Sequence, residues 1–349
     1  MNAVPGYRRI AVVLFNLGGP DGPAAVRPFL QNLFSDPAII GAPSLVRLPL
    51  AAFLARSREK SAVANYALMG GGSPILEETQ SQAAALEHAL VRRMPGAEIK
   101  VVVAMRHWRP FTADAAREVA AFGPTDVVLC PLYPQYSTTT TASSLREWSR
   151  HYHGSGEARA ICCWYGNAGL IEAHAQQIEK IWREAGQPNV RLLFSAHGLP
   201  ERVAQSGDPY QWQVQATCAA IATRLGASWD WRICYQSRVG PLKWIGPSTP
   251  EAITDAAGDR LGVLIDPVAF VSEHIETLVE LDLEYAELAL RVGAPVYLRA
   301  PVVGVLEPFI EGAADAVERA LGHNKVCPDG AACPERYSRC GRRPRETPR

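Results

Sequence analysis

The chain has 349 residues, with 35 Lys plus Arg against 35 Asp plus Glu and a formal net charge of zero. That balance excludes a nucleic-acid partner held by an excess of phosphate contacts. Hydrophobic residues make up 48% and charged residues 20%, too apolar for disorder, and the length predicts about two domains.

Short β-rich apolar runs alternate with longer amphipathic segments. Strands are predicted near 10–17, 98–104, 126–132, 158–163, 190–196, 231–236, 261–265 and 295–298. Helices are predicted near 26–35, 43–56, 74–95, 111–122, 141–152, 168–185, 209–225, 249–257, 271–291 and 306–321. Such alternation implies βαβ crossovers and mostly parallel sheets covered on both faces. The expected architecture is α/β, two doubly wound halves with a crossover around 150–180. The expected division is an N-terminal half over 1–165, a C-terminal half over 166–321, and a Cys-, Pro- and Arg-rich tail over 322–349.

The first apolar run, Ile10 to Phe15, is too short for a secretory core and ends in Asn16-Leu17-Gly18-Gly19-Pro20. No apolar stretch approaches the ~18 residues that span a bilayer. Eight cysteines without a leader read as reduced thiols or metal ligands, not a disulfide framework. A cytoplasmic protein is expected.

The candidate chemistry gathers at strand ends, where open α/β sheets bind ligands. Arg191 to Pro200 is a buried-strand pattern ending in Ser195, His197 and Gly198. A histidine is commonly just satisfied by a carbonyl, but a strand tip favours a working imidazole. The helix predicted over 271–291 carries Glu276, Glu280 and Glu284 at i, i+4, i+8, with Glu273 and His274 at its start. Stacked like charges repel unless a cation lies between them, and oxygen ligands with an imidazole suit a divalent cation such as Fe(II). An ordinary solvated acidic face is the plainer alternative. Tyr133 to Thr141, Ser237 to Pro247 with Trp244, and Met105 to Arg109 follow other strands. Together they suit a large, planar, anionic ligand between aromatic walls with Arg and Lys at the edge. Gly70-Gly71-Gly72-Ser73-Pro74 opens a helix without matching a phosphate-loop or dinucleotide pattern.

Several of these segments, in order, resemble the ferrochelatase family: Phe15 to Pro20, Gly70 to Pro74, Tyr133 to Ser137, Ser195 to Pro200, Gly207 to Tyr210, Tyr235 to Pro241 and Ser272 to Leu278. The resemblance covers about 10 to 320 and implies two Rossmann-like halves around a cleft. It implies insertion of ferrous iron, the metal substrate, into protoporphyrin IX to form protoheme in the last step of heme biosynthesis. His197 and Glu276 correspond to the catalytic pair, and His197, Glu276, Glu273, His274 and Glu280 are the metal-ligand candidates. Leu17, Tyr66, Arg106, Tyr136, Ser137 and Trp244 are the porphyrin-binding candidates. Metallation removes two pyrrole protons, for which an imidazole is a suitable acceptor, and aromatic walls that bend the ring favour the transition state. The alternatives are a coproporphyrin ferrochelatase, another tetrapyrrole metal chelatase, or a non-catalytic tetrapyrrole or metal carrier.

Gly41 to Arg56 looks like the family's apolar lip, which implies peripheral contact with the inner membrane surface; an amphipathic helix packed on the core is the alternative. The tail carries Cys327, Cys333 and Cys340 where some relatives hold a [2Fe–2S] cluster. A cluster needs four ligands, and the position of some relatives' fourth cysteine is Thr138 here. Cys130, Cys162, Cys163, Cys218, Cys234 or His323 would have to substitute; uncomplexed thiols and a zinc site are the other readings. A monomer or a homodimer is expected.

Overall fold

The computed structural model describes residues 8–238, 240, 242–323, 325–326 and 333–342. In chain order the elements are β1 (Arg8–Asn16), α1 (Pro23–Ser35), α2 (Ser44–Ala67), α3 (Ile75–Arg93), β2 (Ala97–Met105), α4 (Thr112–Phe122), β3 (Asp126–Pro131), α5 (Thr141–His151), β4 (Glu157–Ile161) and α6 (Ala168–Glu184). There follow β5 (Val190–His197), α7 (Glu201–Gln205), α8 (Tyr210–Leu225), β6 (Trp231–Gln236), α9 (Thr249–Gly258), β7 (Gly262–Asp266), a π-helix (Glu276–Glu284), α10 (Tyr285–Arg291), β8 (Tyr297–Arg299), α11 (Glu307–Ala320) and β9 (Lys325–Val326).

Two parallel sheets form, one of five strands in the order β2-β1-β3-β4-β9 and one of four in the order β6-β5-β7-β8. This is the doubly wound α/β architecture expected from the alternating pattern. Each sheet is buried on both faces, which is why its strands read as continuous apolar runs. On the first sheet, Ile10, Val12 and Leu14 pack under α3 and α11, while Ala11, Val13 and Phe15 pack under α4 and α5. On the second, Leu192 and Phe194 face α8, and Leu193, Val263 and Ile265 face α9 and α10.

Helix α6 is the crossover. Its first turns place Leu170 and Ala173 in the core of the first sheet, and Ile178 lies in the core of the second. Helix α11 returns to the first sheet, where Phe309, Ile310, Ala313 and Val317 fill its core, and β9 extends that sheet beyond β4. The two helices meet at glycines: a Cβ on Gly169 would lie 2.0 Å from the Pro308 carbonyl oxygen. No side chain larger than hydrogen fits there.

Two elements differ from the sequence expectation. Helix α2 runs on to Ala67 because Ser57–Asn65 is rich in helix formers yet has little apolar periodicity to signal it. The segment 271–291 is not one helix. It starts with a non-helical turn and then a π-helix, whose i→i+5 bonding is a rare wide turn frequent at functional sites. No helix among the described residues is long and apolar enough to cross a membrane.

Candidate active site

The carboxyl ends of β5 and β6, the turn after β7 and the π-helix converge on one cleft. His197 is the last residue of β5, and its Nδ1 lies 2.6 Å from the Gly198 carbonyl oxygen. A carbonyl only accepts, so Nδ1 carries the proton and Nε2 is turned to the cleft, 3.5 Å from Glu276 Oε1. His274 repeats the arrangement: its Nδ1–H donates to the Ser272 carbonyl at 3.0 Å, and its Nε2 lies 3.5 Å from Glu276 Oε2. One carboxylate is therefore bracketed by two imidazoles, each fixed by a backbone carbonyl.

The electrostatics follow from that geometry. Burial pulls the His197 imidazolium down, but the Glu276 charge and hydrogen bond outweigh it and raise the pKa to about 9. For Glu276, burial raises and the two imidazoles lower, with the net result well below the ordinary carboxylate range. Tyr66 closes the cleft from the end of α2; burial, then the Glu276 charge, push its phenol up. Around Tyr66, the α1–α2 hairpin packs Val26, Phe29, Met69 and Trp108 over Ile275.

The other expected metal ligands are engaged elsewhere. Glu280 accepts from the Ser237 N–H at 2.8 Å, the Tyr285 hydroxyl at 2.6 Å, the Gln236 amide at 3.0 Å and the Ser237 hydroxyl at 2.5 Å. Its lone pairs are filled by neutral donors. Glu273 is paired with Arg299 at 2.6 Å, and the same guanidinium holds Asp282 within the π-helix through two bonds of 2.6 Å. Among the described residues no group of three or more His, Cys, Asp or Glu is arranged to hold a metal ion.

The expected porphyrin contacts divide in the same way. Trp244 stands beside Gly198, where an added Cβ would meet its ring at 3.2 Å. Leu17, at the tip of β1, accepts the His107 N–H through its carbonyl. Arg106 turns away to Asp36 at 2.8 Å and Ser143 at 2.8 Å. Tyr136 and Ser137 are buried: Tyr136 packs with Cys162, Cys163, Cys333 and Cys340, and Ser137 donates to Asp208 at 3.0 Å. Cys327 lies outside the described residues.

Several supporting residues had no sequence signal beyond lying in quoted segments. Gln236 accepts from Ser195 at 2.8 Å and donates to the Glu276 carbonyl at 2.9 Å, tying β5, β6 and the π-helix together. Asp208 accepts from Ser137, Thr138 and the Tyr210 N–H, and the Tyr210 hydroxyl donates to the His197 carbonyl at 3.0 Å. Their partners are distant in sequence, so periodicity cannot find them.

Two parallel doubly wound sheets with a cleft at their strand tips are the fold of chelatases. The structure of SirB from Bacillus subtilis with Fe3+ superposes with a TM-score of 0.50 at 12% identity, covering 90% of this chain and 95% of that one, a likeness of fold. The sequence profile of the ferrochelatase family matches residues 9–321. The ferrochelatase of Caulobacter vibrioides strain NA1000 is 59% identical over 339 residues, 95% of this chain and 97% of that one. That of Phenylobacterium zucineum is 58% identical over 334 residues, with 95% and 97% covered. The chain belongs to the ferrochelatase family, the porphyrin metal-insertion enzymes of heme synthesis.

Proposed function

We propose that His197 and Glu276 carry the insertion of ferrous iron into protoporphyrin IX, with His274 fixing Glu276. Insertion exchanges two pyrrole N–H protons for one Fe2+; the N–H electron pairs stay on nitrogen and become the iron's donors, so nothing is oxidised. The observation that supports this reading is the carboxylate held between two Nε2 atoms at 3.5 Å each. At neutral pH His197 rests as an imidazolium, because Glu276 holds it up. A dication arriving at Glu276 offsets the negative charge that keeps His197 protonated, so His197 gives its proton to solvent and its Nε2 then takes the two pyrrole protons in turn, passing each to water before the next. Trp244 and Tyr66 wall the cleft and favour a bent ring.

The test is anaerobic insertion of Fe(II) or Zn(II) into protoporphyrin IX, followed by absorbance, with His197→Ala alongside. Multiple turnovers by the wild type and none by the variant are expected. Stoichiometric uptake without turnover would indicate a carrier, and turnover surviving the substitution would place the proton path elsewhere. Parallel rates on coproporphyrin III decide between the two porphyrins.

The tail is proposed to hold a [2Fe–2S] cluster on Cys327, Cys333 and Cys340 with Cys162 or Cys163 as the fourth ligand. Its support is that Cys162, Cys163, Cys333 and Cys340 belong to one buried apolar cluster, with the Cys340 thiol lowered by hydrogen bonds with Cys162 and Cys333, although no three of the described thiols are yet arranged as a metal site. Soft thiolates suit iron–sulfur ligation, and a bound cluster would supply one-electron chemistry at the tail. Anaerobically purified protein should show visible absorption and two irons per chain, both lost in Cys340→Ser. The apolar lip is proposed to rest on the inner membrane surface, supported by the exposure of Leu45, Val46, Leu48 and Phe53 on α2.

A further inference from the structure

Helix α2 carries four basic side chains, two on each of two opposite faces, and the structure treats the faces differently. Arg47 donates to the carbonyls of Ser35 at 2.9 Å and Ala42 at 2.6 Å, and Arg58 lies over the Phe34 ring. Both point into the protein. Arg56 and Lys60 fall on the opposite face, at helical spacing from Leu45, Phe53 and Val63. Among the described residues neither has a carboxylate within ion-pair distance, although both are exposed. With Arg27 of α1 they line an open surface cavity of about 510 Å³, completed by Val63 and Glu59, and among the described residues Glu59 pairs only with Arg27, at 4.0 Å.

We infer that this cavity between α1 and α2 binds the phosphate headgroup of an acidic phospholipid while the first turns of α2 enter the acyl region. The inference deepens the proposed membrane contact and rests on it. Three cations against one carboxylate leave the cavity positive, complementary to a phosphodiester. The apolar residues stand where such a lipid requires them: Leu45 is 90% exposed and Phe53 is 67% exposed on the same face. Phe53 and Lys60 are seven residues apart, two turns along one side of the helix, so an apolar anchor and a basic pair lie on one side of α2, as on a helix that rests in an acidic membrane surface. A basic pair facing inward, as Arg47 and Arg58 do, would serve the fold; a basic pair left without partners beside exposed Leu and Phe serves a surface.

The experiment is co-sedimentation of the full chain with vesicles of phosphatidylcholine alone and of phosphatidylcholine mixed with phosphatidylglycerol. Arg56→Ala/Lys60→Ala and Leu45→Ser/Phe53→Ser are compared with the wild type. The wild type is expected to prefer the acidic vesicles, and the preference should fall as salt rises. The double alanine variant should bind acidic vesicles roughly thirty-fold more weakly, bind neutral vesicles as the wild type does, and keep wild-type turnover on detergent-solubilised porphyrin. The double serine variant should lose binding to both. Equal wild-type binding to both vesicles, or a double alanine variant that binds as the wild type does, overturns the headgroup site and leaves the lip contact standing. Wild-type protein that sediments with neither overturns both. Displacement from acidic vesicles by inorganic phosphate, but not by chloride at the same ionic strength, would assign the cavity to a free phosphate and overturn the lipid assignment.

Discussion

Among the described residues Glu276 has no Arg or Lys within ion-pair distance; its partners are the imidazoles of His197 and His274. A permanent cation would hold the carboxylate as a fixed ion pair, whereas the His197 imidazole can give up its proton as substrate enters. Glu276→Gln removes the charge that outweighs burial at His197, so its pKa should move from about 9 toward or below the ordinary ~6.5. The rising limb of kcat/KM against pH, which reports the free enzyme, should shift to lower pH with it. The sign for stability follows from the raised folded pKa: the pair stabilises fully below about 6.5, and that contribution is lost as pH rises through about 9. Denaturant unfolding of wild type and Glu276→Gln should therefore converge at alkaline pH. With 41% of the His197 side chain open to solvent, the difference at neutral pH is a modest one. The strand tip marked His197 and the acidic helix marked Glu276 among several carboxylates; the resemblance paired them. That His274 faces the same carboxylate was not legible in the sequence, because it requires the turn before the helix.

At the scale of the element, the π-helix decides which carboxylates reach the cleft. An i, i+4, i+8 ladder on a regular helix would present Glu276, Glu280 and Glu284 as one row. In the structure Glu280 is drawn to the tip of β6, where Ser237 takes a positive φ of 60° and gives it both its N–H and its hydroxyl. Glu280 thereby anchors the loop that carries Trp244. Glu280→Ala would leave the Ser237 N–H and the Tyr285 hydroxyl without their acceptor and the Gln236 amide with one of its two, at a cost of about 1–3 kcal/mol in denaturant unfolding. Loosening of the loop should raise KM for porphyrin more than it lowers kcat, since the Glu280 carboxylate is taken up by donors of the loop and its charge acts on His197 only as a minor influence beside Glu276. A steep fall in kcat with KM unchanged would mean that Glu280 handles metal after all. At the other end, Arg299 holds Glu273 and Asp282 together, and a second carboxylate of the expected set becomes a strut. Residue types and spacing revealed the acidic helix; its hydrogen-bond register depends on β6 and β8, which are remote in sequence.

Across the whole molecule, α11 and α6 bind the two sheets into one body. Arg93 at the end of α3 contacts Glu311, Asp315 and Glu318 along α11, and Asn167, the N-cap of α6, donates to the Gly312 carbonyl at 3.0 Å. The glycine contact between these helices is the more demanding feature, because helix backbones touch there and no rotamer can relieve a new methyl group. Gly169→Ala should destabilise the fold by at least the ~1–3 kcal/mol typical of overpacking, measured by denaturant unfolding, with α11 displaced from the first sheet. The tail makes a second long-range connection: the Arg339 N–H donates to the Gly207 carbonyl at 3.1 Å, and Gln213 links Cys333 at 3.2 Å to the Tyr136 N–H at 2.7 Å.

Local sequence was enough for the α/β class, eight of the strands within a residue or two, the helices flanking them, and the strand tip that carries His197. These follow from local physics: apolar periodicity, proline and glycine punctuation, and the rule that parallel strands end at the ligand. Tertiary structure alone decided that α11 and β9 return to the first sheet, that Tyr136 lies among the tail thiols, and that Glu273 and Glu280 are held by Arg299 and Ser237. Each of those outcomes is a competition among partners far apart in the chain. A carboxylate takes the donors that folding brings to it, and its spacing along a helix does not say which donors those are.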